Sequence, residues 1–430
     1  MKVGIQQPIL LEALQKGALP ALSDDAQSDF SNTATLMKSV KISAYNDCFS
    51  LESQTNMSSN RFHVVPSKET GVIVKEEGVV LVNAKDLLSW VMIQGSESVI
   101  NIALDKLAIP EAINAKDDDT VDDKFAIKKI GTLKIVAKDN KKTGNKWELD
   151  GYDPDHVKLP AYKDKGKKQF TMGGDNFIKS IQQVSFACLK KDDDHVLDSI
   201  SIQKNDGKCY FIGTNKTQCA SYIPEGLEDV GIDESLLISM SVLSSNMKVM
   251  NPHGKVTLYY KEDKNKIFFE QDNFDVRISM VDKDTRGKFA SINILLSKTY
   301  EDLAKVPKQA LRKILGSASL VNKRSVLMHF NSKDDVVMVK ALTTFGKRPS
   351  VSRAELKDIQ TSIDFVCGAG DIINALRTFS DDLLCFTHCP RILKITSNED
   401  KGFTYYSILF NDPIYNDLRK EIHYDHNKTM

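Results

Sequence analysis

Residues 175–189 read DNFIKSIQQVSFACL, followed by SISIQ at 199–203, NDG at 205–207 and KCYFI at 208–212. In the first segment Phe177, Ile178, Ile181, Val184 and Cys188 recur at three- and four-residue steps, while Lys179, Gln182 and Gln183 fall opposite. That spacing predicts an amphipathic helix over Asp175–Leu189, with Asp175 as its N-cap behind Gly173-Gly174. The next two segments alternate with period two around Asn205-Asp206-Gly207, which predicts a β-hairpin. One such unit carries little information. It recurs on both sides.

Upstream, Met1–Ile5 reads as a strand feeding a helix over Gln7–Lys16, with Ile9, Leu10, Ala13 and Leu14 on one face. Short strands follow across a turn at Asn46-Asp47. A second helix is capped by Asn83 and carries Leu87, Leu88, Val91 and Met92, with further strands at 99–104, 131–137 and 146–149. Polar and acidic loops interrupt this part at 23–35 and 115–123, and Tyr162–Lys168 reads as a connector. Downstream, Val242, Leu243, Met247 and Met250 define a helix over Ser239–Met250, followed by a three-strand meander to Met280. After a connector at Ser297–Lys305, the order repeats. A helix from Pro307 to Ser319 carries Ala310, Leu311, Ile314, Leu315 and Ala318, then a hairpin crosses Ser332-Lys333-Asp334. A helix from Asp371 to Phe379 and strands to Phe410 complete it. The expected fold is α+β, with three repeated domains at 1–165, 166–296 and 297–412 and a charged tail at 413–430. Repetition of this kind points to pseudo-symmetric assembly through sheet edges rather than to one catalytic centre.

Composition narrows the function further. No apolar run approaches the roughly 18–20 residues that cross a bilayer, and the start lacks a secretory apolar region, so a cytoplasmic protein is expected. Seven cysteines without a CxxC pair fit reduced, buried thiols. Fifty-eight Lys and Arg balance 58 Asp and Glu, so any nucleic-acid contact must come from segregation of charge. The acidic clusters sit in turns, at 117–119, 122–123, 192–194 and 334–335, and many of the cations sit on helix faces. No phosphate-binding glycine loop is present, and Cys385, His388 and Cys389 lack a partner pair for a metal. A non-catalytic protein with neither cofactor nor metal is expected.

The chain resembles the bacterial β sliding clamp family, the β subunits of DNA polymerase III. The resemblance rests on Met1-Lys2-Val3 with Leu10-Leu11-Glu12-Ala13-Leu14-Gln15, on Phe170–Ile181, and on Phe274-Asp275-Val276-Arg277-Ile278-Ser279-Met280-Val281-Asp282. A degraded Arg-Phe-Pro-Asp-Tyr element follows at Arg286–Phe289. Together with the order of elements it covers residues 1 to about 412. It implies a head-to-tail homodimer of three-domain protomers closing a ring around double-stranded DNA, with DNA polymerase and clamp loader as partners and no membrane. Sequence-independent sliding requires cations near phosphates without base readout. The outward helix cations Lys16, Lys85, Lys179, Lys248, Lys308, Arg312, Lys313 and Arg377 are the candidates for the pore; a solvated helix face is the alternative for each.

The family's peptide cleft, between its second and third domains, is lined in part from a Thr-Asp-Gly-His-Arg-Leu segment. The matching positions are Thr214, Asn215, Lys216, Thr217, Gln218 and Cys219, of which only the threonine is kept. Ala290, Leu295, Ile392, Ile408 and Phe410 match other cleft positions by order, with ordinary core packing as the alternative. A divergent replicon, such as a phage or plasmid with its own polymerase, would account for the changed segment. The rival function is a clamp-like scaffold that binds proteins without encircling DNA.

Overall fold

The computed structural model describes residues 1–23, 38–112, 128–139, 142–156, 165–192, 196–227, 231–233, 235–281, 283–287, 289, 291–322, 324–342, 350–356, 358–409 and 415. The loops expected at 23–35 and 115–123 fall outside them almost entirely, as does the tail except for Tyr415.

β1 (Lys2–Gln6) runs straight into α1 (Gln7–Gly17). Next come β2 (Ser39–Ala44), β3 (Phe49–Gln54), β4 (Ser58–Val64), β5 (Val72–Glu76) and β6 (Gly78–Asn83). α2 (Ala84–Met92), β7 (Val99–Ala112), β8 (Lys128–Asp139) and β9 (Lys142–Tyr152) end the first repeat. The second opens with β10 (Lys167–Gly173) into α3 (Gly174–Ser185) and continues through β11 (Ser199–Asn205), β12 (Lys208–Thr214), β13 (Gln218–Tyr222) and β14 (Leu236–Ser239). It closes with α4 (Met240–Met247), β15 (Lys255–Lys261), β16 (Lys266–Gln271) and β17 (Phe274–Ser279). The third opens with β18 (Glu301–Pro307) into α5 (Lys308–Val321), followed by β19 (Val326–Asn331), β20 (Val336–Ala341), β21 (Ser350–Glu355) and β22 (Ile363–Cys367). α6 (Ala369–Thr378), β23 (Leu383–Cys389), β24 (Ile392–Ser397) and β25 (Phe403–Ile408) complete it.

The helices form where apolar spacing and caps agree. In α2 the buried residues are Ala84, Leu87, Trp90 and Val91, and the Asn83 side chain accepts from the Asp86 backbone N–H at 3.0 Å. In α5 they are Leu311, Ile314, Leu315 and Ala318, as the sequence spacing required, while Ala310 of the expected face is only partly buried. Three expectations are corrected. α3 starts at Gly174 and ends at Ser185, so Asp175 lies in its first turn and is not the cap. Gly174 packs closely at that start, where a Cβ would stand 2.3 Å from the Asn251 carbonyl oxygen. The supposed connectors give way to strands before they end, β10 from Lys167 and β18 from Glu301. Each carries a bulge, between Lys168 and Phe170 and between Asp302 and Ala304, which breaks the alternation that marks a strand.

Two compact units emerge, Met1–Gly174 with Ser241–Met280, and Asp175–Met240 with Val281–Met430. In the first, strands run β10-β15-β16-β17-β4-β3-β2-β6 and continue into β9-β8-β7-β1-β5. That continuation rests on one residue pair, Leu81 with Tyr152. In the second, an eight-stranded sheet runs β14-β11-β12-β13-β25-β24-β23-β18 beside a four-stranded sheet β21-β20-β19-β22. The two eight-strand runs have the same plan. In each, the fourth strand of one repeat pairs antiparallel with the last strand of the next: β4 with β17, Phe62 opposite Phe274, and β13 with β25, Tyr222 opposite Phe403.

Apolar cores lie under the helices. The first unit packs Leu10, Leu14, Ile42, Phe49, Leu87, Ile100 and Ile135 among its fully buried residues. Stacked Trp90 and Trp147 rings, 6.2 Å apart, close that core between α2 and β9. In the second unit α3 lies directly on β12, because a Cβ on Gly213 would meet the Val184 carbonyl oxygen at 2.2 Å and Cys188 Sγ at 2.9 Å. Gly213→Ala is therefore expected to lower stability by about 1–3 kcal/mol by overpacking. A urea titration should show a lower midpoint with an unchanged slope; an unaltered midpoint would contradict this close approach.

Candidate functional site

The strand pairing between β13 and β25 carries an apolar cleft of ≈ 350 Å³ on its outer face, wholly within the second unit. Alternation builds the floor. Ile212 and Thr214 of β12, Cys219 of β13, Ile392 of β24, and Tyr406 and Ile408 of β25 all line the same face. The opposite wall is the chain after the second repeat, with Phe289, Ile292, Ile294 and Leu295. Its single helical turn, Ile292–Leu296, is held in two ways. Ser291 Oγ accepts from the Asn293 N–H at 3.3 Å, and Gln203 Oε1 accepts from the Ile292 N–H at 3.0 Å. Behind this wall the Tyr300 hydroxyl donates to the Leu295 carbonyl at 3.0 Å, and its ring stands 6.2 Å from that of Tyr406. Ile292 and Tyr406 are each 2% exposed, whereas Ile294 is 57% exposed at the rim.

Of the cleft residues expected from sequence, Thr214, Cys219, Leu295, Ile392 and Ile408 come together. Ala290 and Phe410 lie outside the described residues. Three others do not line the floor. Gln218 faces the helices, where its Oε1 accepts from the Tyr405 hydroxyl at 3.1 Å. Thr217 turns its hydroxyl to Asp371 Oδ2, at 3.1 Å, in the first turn of α6. Burial pushes the Asp371 carboxyl up, and the Thr217 hydrogen bond partly offsets that. Lys216 is exposed at the tip of the β12–β13 turn. Sequence reasoning misses Ile212 and Tyr406 in the floor and Ile292 in the wall. The two-residue step from Thr214 back to Ile212, and from Ile408 back to Tyr406, was the available signal.

Two turns at one end of the cleft hold cations in the left-handed backbone region. Lys216 has φ 77° and Arg391 has φ 70°. The turns are neighbours, since the Ile408 N–H donates to the Thr217 carbonyl and the Leu409 N–H donates to the Arg391 carbonyl. A side chain in this region costs on the order of 1 kcal/mol relative to glycine. Arg391, Pro390 and Lys298 join the lining, and among the described residues no carboxylate does.

The equivalent face of the first strand pairing is different. There Lys165 Nζ sits 3.0 Å from Asp275 Oδ1 and 3.1 Å from Glu270 Oε2, and Arg61 Nε sits 3.3 Å from Glu52 Oε1. His63 Nδ1 is 3.5 Å from Asp275 Oδ2, and burial holds its pKa below the ordinary histidine value. One joint is covered by an ion cluster; the other presents apolar side chains.

The helix cations divide by unit. In the first, Lys85 and Lys248 are exposed, the latter just beyond the end of α4. Lys16 is corrected: its Nζ is 2.6 Å from Glu12 Oε1 and lies over the Phe274 ring, with the side chain 13% exposed. In the second unit Lys179, Arg312, Lys313 and Arg377 are exposed, the last three on the adjoining helices α5 and α6. Lys308 is corrected too. Its ammonium donates to the Phe379 and Ser380 carbonyls at 3.1 and 3.0 Å, closing the end of α6. Both side chains are spent on local structure.

Burial also fixes the thiol chemistry. Cys209, Cys219 and Cys367 are buried and pushed up to about 12. Among the described residues no cluster of three metal-ligating side chains occurs, and no helix is long and apolar enough to cross a membrane. Iodoacetamide at pH 8 should label the partly exposed Cys48 at least about a hundredfold faster than Cys219, because the thiolate is the nucleophile. Peptide mass spectrometry checks this; equal labelling before denaturation would contradict the burial.

No family model and no curated protein matches the sequence. Solved structures do match. The DNA polymerase III subunit beta of Pseudomonas aeruginosa aligns with TM-score 0.74 and 13% identity, covering 96% of this chain and 100% of that one. The DNA polymerase sliding clamp of Caulobacter crescentus aligns with TM-score 0.74 and 12% identity over the same shares. The beta subunit from the DNA polymerase of Streptococcus pyogenes gives 0.72 and 12%, again with 96% and 100% covered. The chain is similar to these proteins along nearly its whole length, and its fold is that of the bacterial DNA polymerase β sliding clamps.

Proposed function

We propose that this chain is a DNA sliding clamp: a non-catalytic ring around duplex DNA that tethers a DNA polymerase and other DNA-processing proteins. The observation that carries the reading is the repeated joint. β4 pairs with β17 and β13 pairs with β25 by one rule, the fourth strand of a repeat against the last strand of its successor. The rule leaves two strands over. β21 pairs only with β20, and β9 pairs with β8 and touches β6 at one residue pair, among the described residues. Open edges of this kind seek a partner. β21 of one copy against β9 of a second, twice, closes a head-to-tail homodimer of three-domain protomers divided near residues 165 and 296.

Enclosure explains how a chain with no net charge can hold DNA. A ring needs only a few sequence-blind cations, for which Lys85, Lys179, Lys248, Arg312, Lys313 and Arg377 are the candidates. The cleft is the site proposed for peptide segments of the polymerase, the clamp loader and other partners.

Sedimentation should give a mass near twice 48.1 kDa. Val351→Lys, which places a charge on the β21 edge, should shift the protein towards monomer with its circular dichroism unchanged. Protein loaded onto nicked circular DNA should survive gel filtration and be lost after linearisation; equal loss from both forms would sink the ring. Arg312→Glu with Lys313→Glu should weaken loading and reduce the slope of log K against log salt by roughly 0.9 for each phosphate that is no longer neutralised.

A further inference from the structure

The cleft has a polarity that an apolar peptide site does not need. Its floor is built of Ile212, Cys219, Ile392 and Tyr406, and among the described residues its lining includes Lys298 and Arg391 and no acidic side chain. Lys216 stands on the turn adjoining that of Arg391. None of these three cations has an ion-pair partner among the described residues, in contrast to Lys165 and Arg61 at the equivalent joint. Two of the three also occupy backbone positions, φ 77° and φ 70°, that suit glycine. Backbone of this sort persists only where the surrounding structure imposes it, which fixes the two turns in place. Cations held at the mouth of a low-dielectric cleft favour a carboxylate placed beside them.

Resting on the reading of this cleft as a peptide site, we infer that its ligands are acidic peptides. The partner segment carries two or three large apolar side chains for the floor and at least one carboxylate, from Asp, Glu or a chain terminus, for Lys216, Arg391 and Lys298. The apolar side chains supply most of the affinity. The carboxylate fixes which way the segment runs, because Lys216 and Arg391 share one end.

The test uses the full chain and three fluorescent ten-residue peptides with identical leucines and phenylalanine. They differ at two flanking positions, which hold aspartate, serine or lysine. Fluorescence anisotropy at low salt should place the aspartate peptide about tenfold tighter than the serine peptide and the lysine peptide weakest, with the differences shrinking in high salt. Lys216→Gly with Arg391→Gly removes the charge while suiting the backbone, so folding is preserved. In that variant the aspartate and serine peptides should bind within about twofold of each other. Equal binding of all three peptides to the unmodified chain would overturn the acidic preference and leave the peptide cleft standing. Binding of none of them, or binding undiminished by Tyr406→Asp, would overturn the cleft itself and this inference with it.

Discussion

Backbone hydrogen bonding at sheet edges governs how this molecule is put together. Each repeat leaves two strands with a free row of N–H and C=O groups, and a buried edge without partners is costly. Pairing β4 with β17, and β13 with β25, removes four of those edges within the chain. The same pairings set where every outer-face side chain stands. A one-residue slip would exchange Cys219 and Tyr406 for Gln218 and Tyr405, turning the cleft floor to the helices. Register and site are therefore one property.

The two joints share a backbone plan and differ in what covers them. At the first, a lysine reaches a buried aspartate, Asp275, whose side chain is 4% exposed. Such a pair is weak evidence of net stability, but removing one partner would strand the other charge. At the second, the covering segment is a single capped helical turn with apolar side chains directed at the sheet. The contrast explains how one chain of repeated modules keeps an open apolar cleft in one place. Repetition supplies the frame, and the connector decides the chemistry.

Much of the helix layer was legible in advance because amphipathic spacing acts locally. The faces of α1, α5 and α6, the Asn83 cap and the Asn205-Asp206-Gly207 hairpin need only the 3.6- and two-residue periods and known turn preferences. β10 and β18 were hidden because a bulge shifts the alternation by one residue. The site was half legible. Thr214, Cys219, Leu295, Ile392 and Ile408 followed from order along the chain, while Lys16 and Lys308 misled because an outward helical position does not reveal a carboxylate or carbonyl within reach.

Residue order and composition alone established a threefold helix-and-strand order, a balanced charge and the absence of a nucleotide-binding loop. Each is a matter of counting or of neighbours a few residues apart. Folding in three dimensions was needed to establish which strands join successive repeats, that Ile212 and Tyr406 floor one cleft, and that the turns carrying Lys216 and Arg391 are neighbours at its end. The reason is distance along the chain. Tyr406 lies opposite Cys219 through backbone hydrogen bonds that no local preference specifies, and the positive φ of Arg391 belongs to a turn whose conformation the surrounding sheet imposes.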